Sequence, residues 1–330
     1  MTDNSYAISV EGLVRHFGTV KAVDGVDLNV QKGEIFGFLG PNGAGKTTVI
    51  RVLITLLAPT AGSIKVAGYD AVSQPDQVRL RIGAALQEAA LDNKQTGREL
   101  LRLQGQLYGL SRKQVNGRIA DLSDLVDIGD AMDRLIGTYS GGMKRRIDLA
   151  AALIHNPEVL FLDEPTTGLD PVSRSRIWEE VRSISSGLGV TIFLTTQYLE
   201  EADALAHRVG IINHGRLAAQ GTPEELKRAR GSDLIIAKVD GDANAAADAI
   251  RSIEEVARVE VHGQELTASV GNGAALISNV ALALNQHGIP VQELTLRTPT
   301  LDDVFLQVTG ERLQDGSRDQ QIPDDSPSPG

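Results

Sequence analysis

The pattern of apolar positions in the first part of the chain predicts buried strands that alternate with helices. Residues 34–39 form an almost wholly apolar run that leads into a glycine-rich loop, and residues 46–57 then show helical spacing up to Pro59. The same order recurs after 159–162 and after 190–195. Because strands covered on both faces are apolar throughout, this alternation is typical of an α/β fold with a largely parallel sheet.

Two other patterns accompany these strands. Alternating positions at 8–14 and 26–30, with glycines at the turns, predict antiparallel strands at the start of the chain. Apolar residues at helical spacing predict further helices over 99–108, 111–126 and 143–154. We therefore expect a helical subdomain at about residues 97–155.

The order of elements changes from residue 231. Short apolar runs there predict strands over 234–239, 258–261, 266–270 and 291–297, and helices over 243–256 and 274–287. The resulting order, β-α-β-β-α-β, is that of the ferredoxin-like fold. We accordingly expect an α/β domain over residues 1–230, an accessory α+β domain over 231–310 and, because the last residues are polar and rich in proline, a disordered tail over 311–330.

Charge and composition exclude several classes of protein. The 330 residues carry a net charge of -11, and residues 231–310 hold 4 basic and 11 acidic side chains, so we expect no nucleic-acid partner. No apolar run is long enough to span a membrane, and the first residues lack the pattern of a signal peptide. The absence of cysteine excludes disulfides and thiol catalysis and fits a cytoplasmic protein.

A P-loop pattern stands between the first apolar strand and its helix. Its candidate nucleotide-binding residues are Gly40, Pro41, Asn42, Gly43, Ala44, Gly45, Lys46, Thr47 and Thr48. Glycines let successive backbone N–H groups face phosphates, and the helix N-terminus adds its dipole. Lys46 is then expected to reach the β- and γ-phosphates, and the Thr47 hydroxyl to ligate Mg²⁺. The alternative is a plain glycine-rich turn from strand to helix.

Two acidic residues follow the second apolar strand. The strand carries Asp163 to its carboxyl end, where α/β folds bind ligands, and Asp163 is a candidate for holding Mg²⁺. Glu164 is the candidate general base that orients the attacking water. Acidic residues before Pro165 also suit an ordinary helix start, which is the alternative.

A third motif, Tyr-Ser-Gly-Gly-Met over residues 139–143, precedes a helix with a basic first turn. Ser140, Gly141 and Gly142 suit a small anion site at the start of that helix, or else a simple N-terminal cap. The three motifs resemble, in order and spacing, the Walker A loop, signature and Walker B strand of the ABC ATPase family. The resemblance implies a P-loop ABC ATPase core that binds ATP and Mg²⁺.

The resemblance also implies a dimer in which two copies lie head to tail around ATP. Ser140 and Gly142 of one copy would close on the γ-phosphate held by Lys46 of the other. Asp170 matches the D-loop, which crosses the dimer interface in that family.

Two further positions match the family's nucleotide site. Gln87 matches the Q-loop glutamine, which contacts Mg²⁺ or the attacking water and responds to a membrane partner; an exposed turn glutamine is the alternative. Phe17 matches the aromatic residue that stacks on adenine, and its alternative is core packing.

Three segments, residues 139–146, 197–203 and 299–310, are similar to the daunorubicin-resistance type of ATP-binding subunit. That likeness implies a peripheral protein at the cytoplasmic face of the membrane. It would drive export of a hydrophobic drug, antibiotic or lipid through a separate integral membrane permease. The alternatives are a soluble ABC ATPase acting on ribosomes or nucleic acid, which a single P-loop without heptads disfavours, and a nucleotide-switched drug-binding protein.

Gln197 stands where the ABC ATPase family places a histidine that contacts the γ-phosphate. A glutamine amide donates a hydrogen bond to phosphate but never becomes cationic. We therefore predict slow turnover, with Glu164 keeping the role of base, and we expect Gln197→His to raise the ATPase rate. Steady-state phosphate release from the purified proteins measures this, and an unchanged rate in the variant contradicts the role given to Gln197.

Overall fold

The structure is a computed structural model that describes residues 5–87 and 91–310. These residues form two compact units. The first runs to Pro223 and includes the chain from Val308, and the second runs from Glu224 to Gln307. The tail predicted over 311–330 lies outside the described residues. Across the two described stretches, no helix is both long and apolar enough to cross a membrane.

The first unit combines an antiparallel and a largely parallel sheet. Its described strands are β1 (Tyr6–Phe17), β2 (Val20–Gln31), β3 (Ile35–Leu39), β4 (Ala61–Val66), β5 (Tyr69–Asp70), β6 (Ile82–Ala85), β7 (Val159–Asp163), β8 (Thr191–Thr196), β9 (Arg208–Asn213) and β10 (Arg216–Gly221). Its described helices are α1 (Lys46–Leu53), α2 (Pro75–Arg79), α3 (Gly97–Leu107), α4 (Arg112–Leu125), α5 (Gly141–Leu153), α6 (Pro171–Leu188) and α7 (Leu199–Leu205).

The larger sheet has the order β10-β9-β3-β8-β7-β6, and its neighbours are parallel except for β9 and β10. Side chains alternate between its faces, so Phe161 and Phe193 pack with α1 and the antiparallel sheet β2-β1-β4-β5. Leu160 and Leu162 point to the opposite face, where α3 to α6 pack. The α/β fold class predicted from the sequence is therefore confirmed.

Side-chain caps start the helices of the subdomain. Thr96 and Ser111 each form a capping box, with Glu99 and Gln114 respectively, and these caps begin α3 and α4. The helices α3, α4 and α5 lie where apolar spacing predicts them.

Two helices are shorter than predicted. The first ends at Leu53 rather than at residue 57, because Thr55 takes a left-handed backbone conformation (φ 65°) and the N–H groups of Leu56 and Leu57 both bond to the Arg51 carbonyl. The helix predicted over 243–256 ends at Arg251. The apolar residues Ile253 and Val256 still pack on the same core, but from a turn and from the next strand.

The second unit is an antiparallel sheet with helices. Its described elements are α8 (Pro223–Arg230), β11 (Asp233–Val239), α9 (Ala243–Arg251), β12 (Val256–His262), β13 (Glu265–Val270), α10 (Gly273–Gln286), β14 (Val291–Arg297) and α11 (Leu301–Thr309), although the first residue of α8 and the last two residues of α11 belong to the first unit. The strand order is β12-β13-β11-β14, with every neighbour antiparallel. Ile235, Ala237 and Val239 alternate into the core that α9 and α10 cover. Along the chain, β11, α9, β12, β13, α10 and β14 follow the β-α-β-β-α-β order of the ferredoxin-like fold.

The close packing of β6 against α5 yields a prediction. A Cβ at Gly83 would collide with the carbonyl oxygen of Ala152. We expect Gly83→Ala to lower the free energy of unfolding by about 1–3 kcal/mol, the usual effect of overpacking. Denaturant unfolding measures the change. Gly187→Ala is the matched control, since nothing lies within 4 Å of its Cβ position on α6, and equal stability of both variants contradicts the prediction.

Candidate functional site

The loop between β3 and α1 has a backbone that only glycine accommodates. Gly43 and Gly45 have φ of 81° and 108°. A Cβ at Gly45 would stand 2.5 Å from the carbonyl oxygen of Ala22, and a Cβ at Gly40 would stand 2.5 Å from that of Ile212. Close backbone approach therefore excludes a side chain at Gly40 and Gly45, and the positive φ of Gly43 favours glycine there. We call this loop, residues 40–45, the glycine cradle.

A cavity of about 490 Å³ opens beside this loop. The predicted site residues that line it are Pro41, Asn42, Gly43, Gly45, Lys46, Thr47, Thr48, Gln87, Glu164 and Gln197. Gly40 and Ala44 are buried behind the loop. The cavity also includes Ala22 and Thr167, which sequence reasoning missed. The sequence could have indicated Thr167, because it lies three residues after Glu164 in the turn that follows the strand.

Lys46 is held by both backbone and side chain. Its Nζ donates to the carbonyl oxygens of Gly40 at 2.7 Å and Pro41 at 3.1 Å, and it lies 3.3 Å from Oε1 of Glu164. Burial lowers the pKa of Lys46, and the neighbouring carboxylate of Glu164 opposes that shift. The amine therefore contacts both the backbone of the glycine cradle and the carboxylate of Glu164.

Glu164 has an unusual backbone and a fully engaged side chain. Its φ of 49° is left-handed, and its N–H is shared between the carbonyl oxygen and Oγ1 of Thr195, at 3.1 and 3.0 Å. Its Oε2 accepts hydrogen bonds from Thr167 Oγ1 at 3.2 Å and Gln87 Nε2 at 3.5 Å. The carboxylate thus points into the cavity in a defined orientation, beside Gln87 as the sequence predicted.

Asp163 is not among the residues that line the cavity. Its Oδ1 accepts a 2.6 Å hydrogen bond from Thr195 Oγ1, and the residue is 2% exposed. Thr195, on the neighbouring strand β8, therefore contacts both members of the acidic pair. The sequence did not indicate that Thr195 contacts the acidic pair, because Thr195 follows a run of apolar residues.

The signature and D-loop residues do not line the cavity. Ser140 accepts the Met143 N–H and caps α5, with Gly141 and Gly142 in the first turn. Asp170 caps α6, and hydrogen bonds from Ser173 lower its pKa. A Cβ at Gly142 would stand 3.8 Å from Ser173 Oγ, so the starts of the two helices adjoin each other. Within this chain, the Ser140 side chain therefore acts as the N-terminal cap that we gave as the alternative to an anion site.

Phe17, at the end of β1, is 46% exposed and does not belong to a core cluster. The guanidinium of Arg15 lies 4.5 Å from its ring centroid. The core-packing alternative is therefore wrong for this ring, and its free surface is available for stacking.

Comparison with known families agrees with this geometry. Residues 23–167 match the family described as ABC transporter, and residues 221–309 match that described as ATP-binding protein DrrA1-3-like, C-terminal domain. Over 92% of its length the chain is 48% identical to the daunorubicin resistance ATP-binding protein DrrA3 of Streptomyces coeruleorubidus, of which the match covers 96%. The chain belongs to the ABC transporter ATP-binding proteins. As a member of this family it binds ATP and is an ATPase.

Two further relatives extend the comparison. The daunorubicin/doxorubicin resistance ATP-binding protein DrrA of Streptomyces peucetius is 44% identical, and the match covers 97% of each chain. Among solved structures, cbiO1 of Clostridium perfringens, described as part of an ABC transporter complex, is 27% identical with a TM-score of 0.64, over 67% of this chain and 90% of that one. The resemblance to the ABC ATPases and to the daunorubicin-resistance type is confirmed.

Proposed function

We propose that this chain hydrolyses ATP to drive export of a hydrophobic drug, antibiotic or lipid through a separate integral membrane permease. The observation that carries the proposal is the similarity to drug-resistance ATP-binding proteins across both units, including the C-terminal segment 221–309. In this proposal residues 1–230 are the nucleotide-binding domain and residues 231–310 the accessory domain. The protein would act at the cytoplasmic face of the membrane.

The proposed chemistry is in-line attack of water on the γ-phosphate. Glu164 orients the water and accepts its proton, since two hydrogen bonds to Oε2 fix the orientation of its carboxylate. Lys46, held in the cradle by backbone carbonyls, counters phosphate charge. The Gln197 amide donates to phosphate without carrying charge. Phe17 offers its exposed ring to adenine.

The chemistry of their oxygen atoms supports three side chains as the proposed magnesium ligands, of which Thr47 and Gln87 line the cavity and Asp163 does not. Thr47, Asp163 and Gln87 offer hydroxyl, carboxylate and amide oxygens, which are the hard ligands that Mg²⁺ prefers. Among residues 5–87 and 91–310, no group of three or more His, Cys, Asp or Glu is placed to hold a metal. Mg²⁺, when bound, would neutralise charge that develops on the phosphates.

A second copy of the chain completes the proposed site. Ser140, Gly142 and Asp170 lie at adjoining helix starts and do not line this chain's own cavity. A head-to-tail dimer would bring these residues to the ATP held by the other copy. ATP binding and dimer closure would then be linked, because each would stabilise the other.

Two alternatives are less well supported. The relatives compared do not support a soluble ABC ATPase acting on ribosomes or nucleic acid, because their names describe resistance or export proteins. A nucleotide-switched drug-binding protein is less well supported, because the contacts of Glu164 with Thr167 and Lys46 support the proposed role as base.

Glu164→Gln tests the proposed base. The amide cannot accept the proton, so we expect ATPase turnover to fall by about 10²-fold or more, while ATP binding persists and a closed dimer accumulates. Phosphate release, ATP binding and size-exclusion chromatography measure the three effects. Glu158→Gln, at the opposite end of the same strand, is the matched control and should keep the wild-type rate. Wild-type turnover in Glu164→Gln removes Glu164 from the catalytic role.

Co-purification tests the transport function. We expect the tagged chain, purified from gently solubilised membranes of its native host, to carry a polytopic membrane protein with it, and the untagged host to give none. That partner, reconstituted with this chain, should show ATP-dependent export of a hydrophobic drug, which Glu164→Gln should abolish. Ribosomal or DNA-bound partners without a membrane protein would overturn the export proposal and leave the ATPase site intact.

A further inference from the structure

Arg145, in the second turn of α5, connects the ends of two strands of the large sheet. Its guanidinium donates to the carbonyl oxygens of Leu86 at 2.8 Å, Pro165 at 3.1 Å, Asp163 at 3.3 Å and Ala85 at 3.5 Å. The side chain is only 12% exposed. In the sequence, Arg145 stands out only as one of three consecutive basic residues near the start of that helix.

The carbonyls that Arg145 contacts are those next to the proposed catalytic residues. Leu86 immediately precedes Gln87, and Asp163 and Pro165 stand on either side of Glu164. These segments follow the neighbouring parallel strands β6 and β7. One planar guanidinium, with five N–H donors in fixed directions, therefore holds the backbone behind both side chains.

Glu164 requires such support because its backbone is strained. A non-glycine residue at φ 49° is less stable than one in a helical or extended conformation, and it persists only where its surroundings hold it. Thr195 secures the N–H of Glu164 from one side. Arg145 secures the carbonyls before and after it.

Asp148, one turn along α5, balances the buried charge. Its Oδ2 lies 3.4 Å from Nη1 of Arg145. Burial raises the pKa of Asp148 to about 6, and burial also lowers the pKa of Arg145. The guanidinium therefore has a nearby counter-charge, to which Nη1 donates at 3.4 Å while Nε, Nη1 and Nη2 also donate to the backbone carbonyls.

We infer that Arg145 is a positioning residue that sets the distance and direction of Glu164 and Gln87 for attack on ATP. The inference rests on the proposed roles of those two side chains. Because Ser140 caps α5, the same contacts would transmit any displacement of that helix to both side chains. The competing explanation is that Arg145 only stabilises the fold, as any buried arginine of α5 would.

Arg145→Lys separates these explanations, with Arg146→Lys as the matched control. Arg146 is equally buried on the same helix, but it pairs with Glu180 at 2.8 Å and Asp127 at 3.5 Å, not with the carbonyls beside the cavity. A lysine keeps the charge but loses the fork that reaches several carbonyls. Misplacing reacting groups by about 1 Å reduces rates by up to about 10²-fold, so we expect kcat of Arg145→Lys to fall about 10- to 100-fold.

Three readouts accompany kcat: the affinity for MgATP, the KM and the thermal unfolding midpoint. We expect the affinity and KM of Arg145→Lys to stay close to wild type, the midpoints of Arg145→Lys and Arg146→Lys to fall by similar amounts, and Arg146→Lys to keep the wild-type kcat. If Arg145→Lys is too unstable to assay, Arg145→Gln, which keeps an uncharged donor, takes its place with the same expectation.

Two results would overturn the inference: wild-type kcat in the Arg145 variants, or an equal loss of kcat in Arg146→Lys. Glu164→Gln distinguishes failure of this inference from failure of the proposed mechanism. Loss of turnover in Glu164→Gln together with full activity in the Arg145 variants refutes the positioning role alone. Turnover retained in Glu164→Gln refutes the catalytic role on which the inference depends.

Discussion

The buried ion pair between Lys46 and Glu164 is the contact on which the site depends. Their side chains are 4% and 8% exposed, and removing two charges from water costs several kcal/mol per ion, which mutual attraction only roughly offsets. The pair therefore adds little to stability, and the sheet must hold it in place. Strands β3 and β7 both pair with β8 in parallel, so the loops that carry Lys46 and Glu164 emerge at the same edge.

Local patterns predicted the parts of this site that lie on one segment. The glycines around Lys46 and the acidic pair after an apolar strand are readable because each motif combines residue type with a strand-to-helix context. The β-α-β-β-α-β order of the second unit could also be predicted. Polar and apolar residues alternate along its strands, and apolar residues recur at helical spacing in its helices. The sequence could not decide whether Phe17 stacks on a ligand or packs in the core, because an aromatic residue at a strand end suits both roles.

Contacts between distant segments could not be predicted. Thr195 stands in an apolar strand and looks like a β-branched core residue, yet its hydroxyl contacts Asp163 and Glu164. Arg145 looks like part of a solvated basic face because two basic neighbours surround it, but the close packing of α5 on β6 buries it. Helix α1 ends early for a local reason: Thr55 leaves the helical conformation, and the N–H groups of Leu56 and Leu57 close the helix end by bonding to the Arg51 carbonyl.

The placement of Thr195 and Arg145 explains how a strained glutamate persists in a fold of marginal stability. A left-handed non-glycine residue costs on the order of 1–3 kcal/mol, which is a sizeable share of the stability of a typical domain. Hydrogen bonds to backbone groups on both sides of Glu164 offset that cost, and those made by a charged donor are the stronger ones. Since these bonds come from β8 and α5, the geometry of Glu164 depends on the packing of the sheet against the helical layer. In the proposed mechanism, a shift of that layer relative to the sheet would therefore move the Glu164 carboxylate through these bonds.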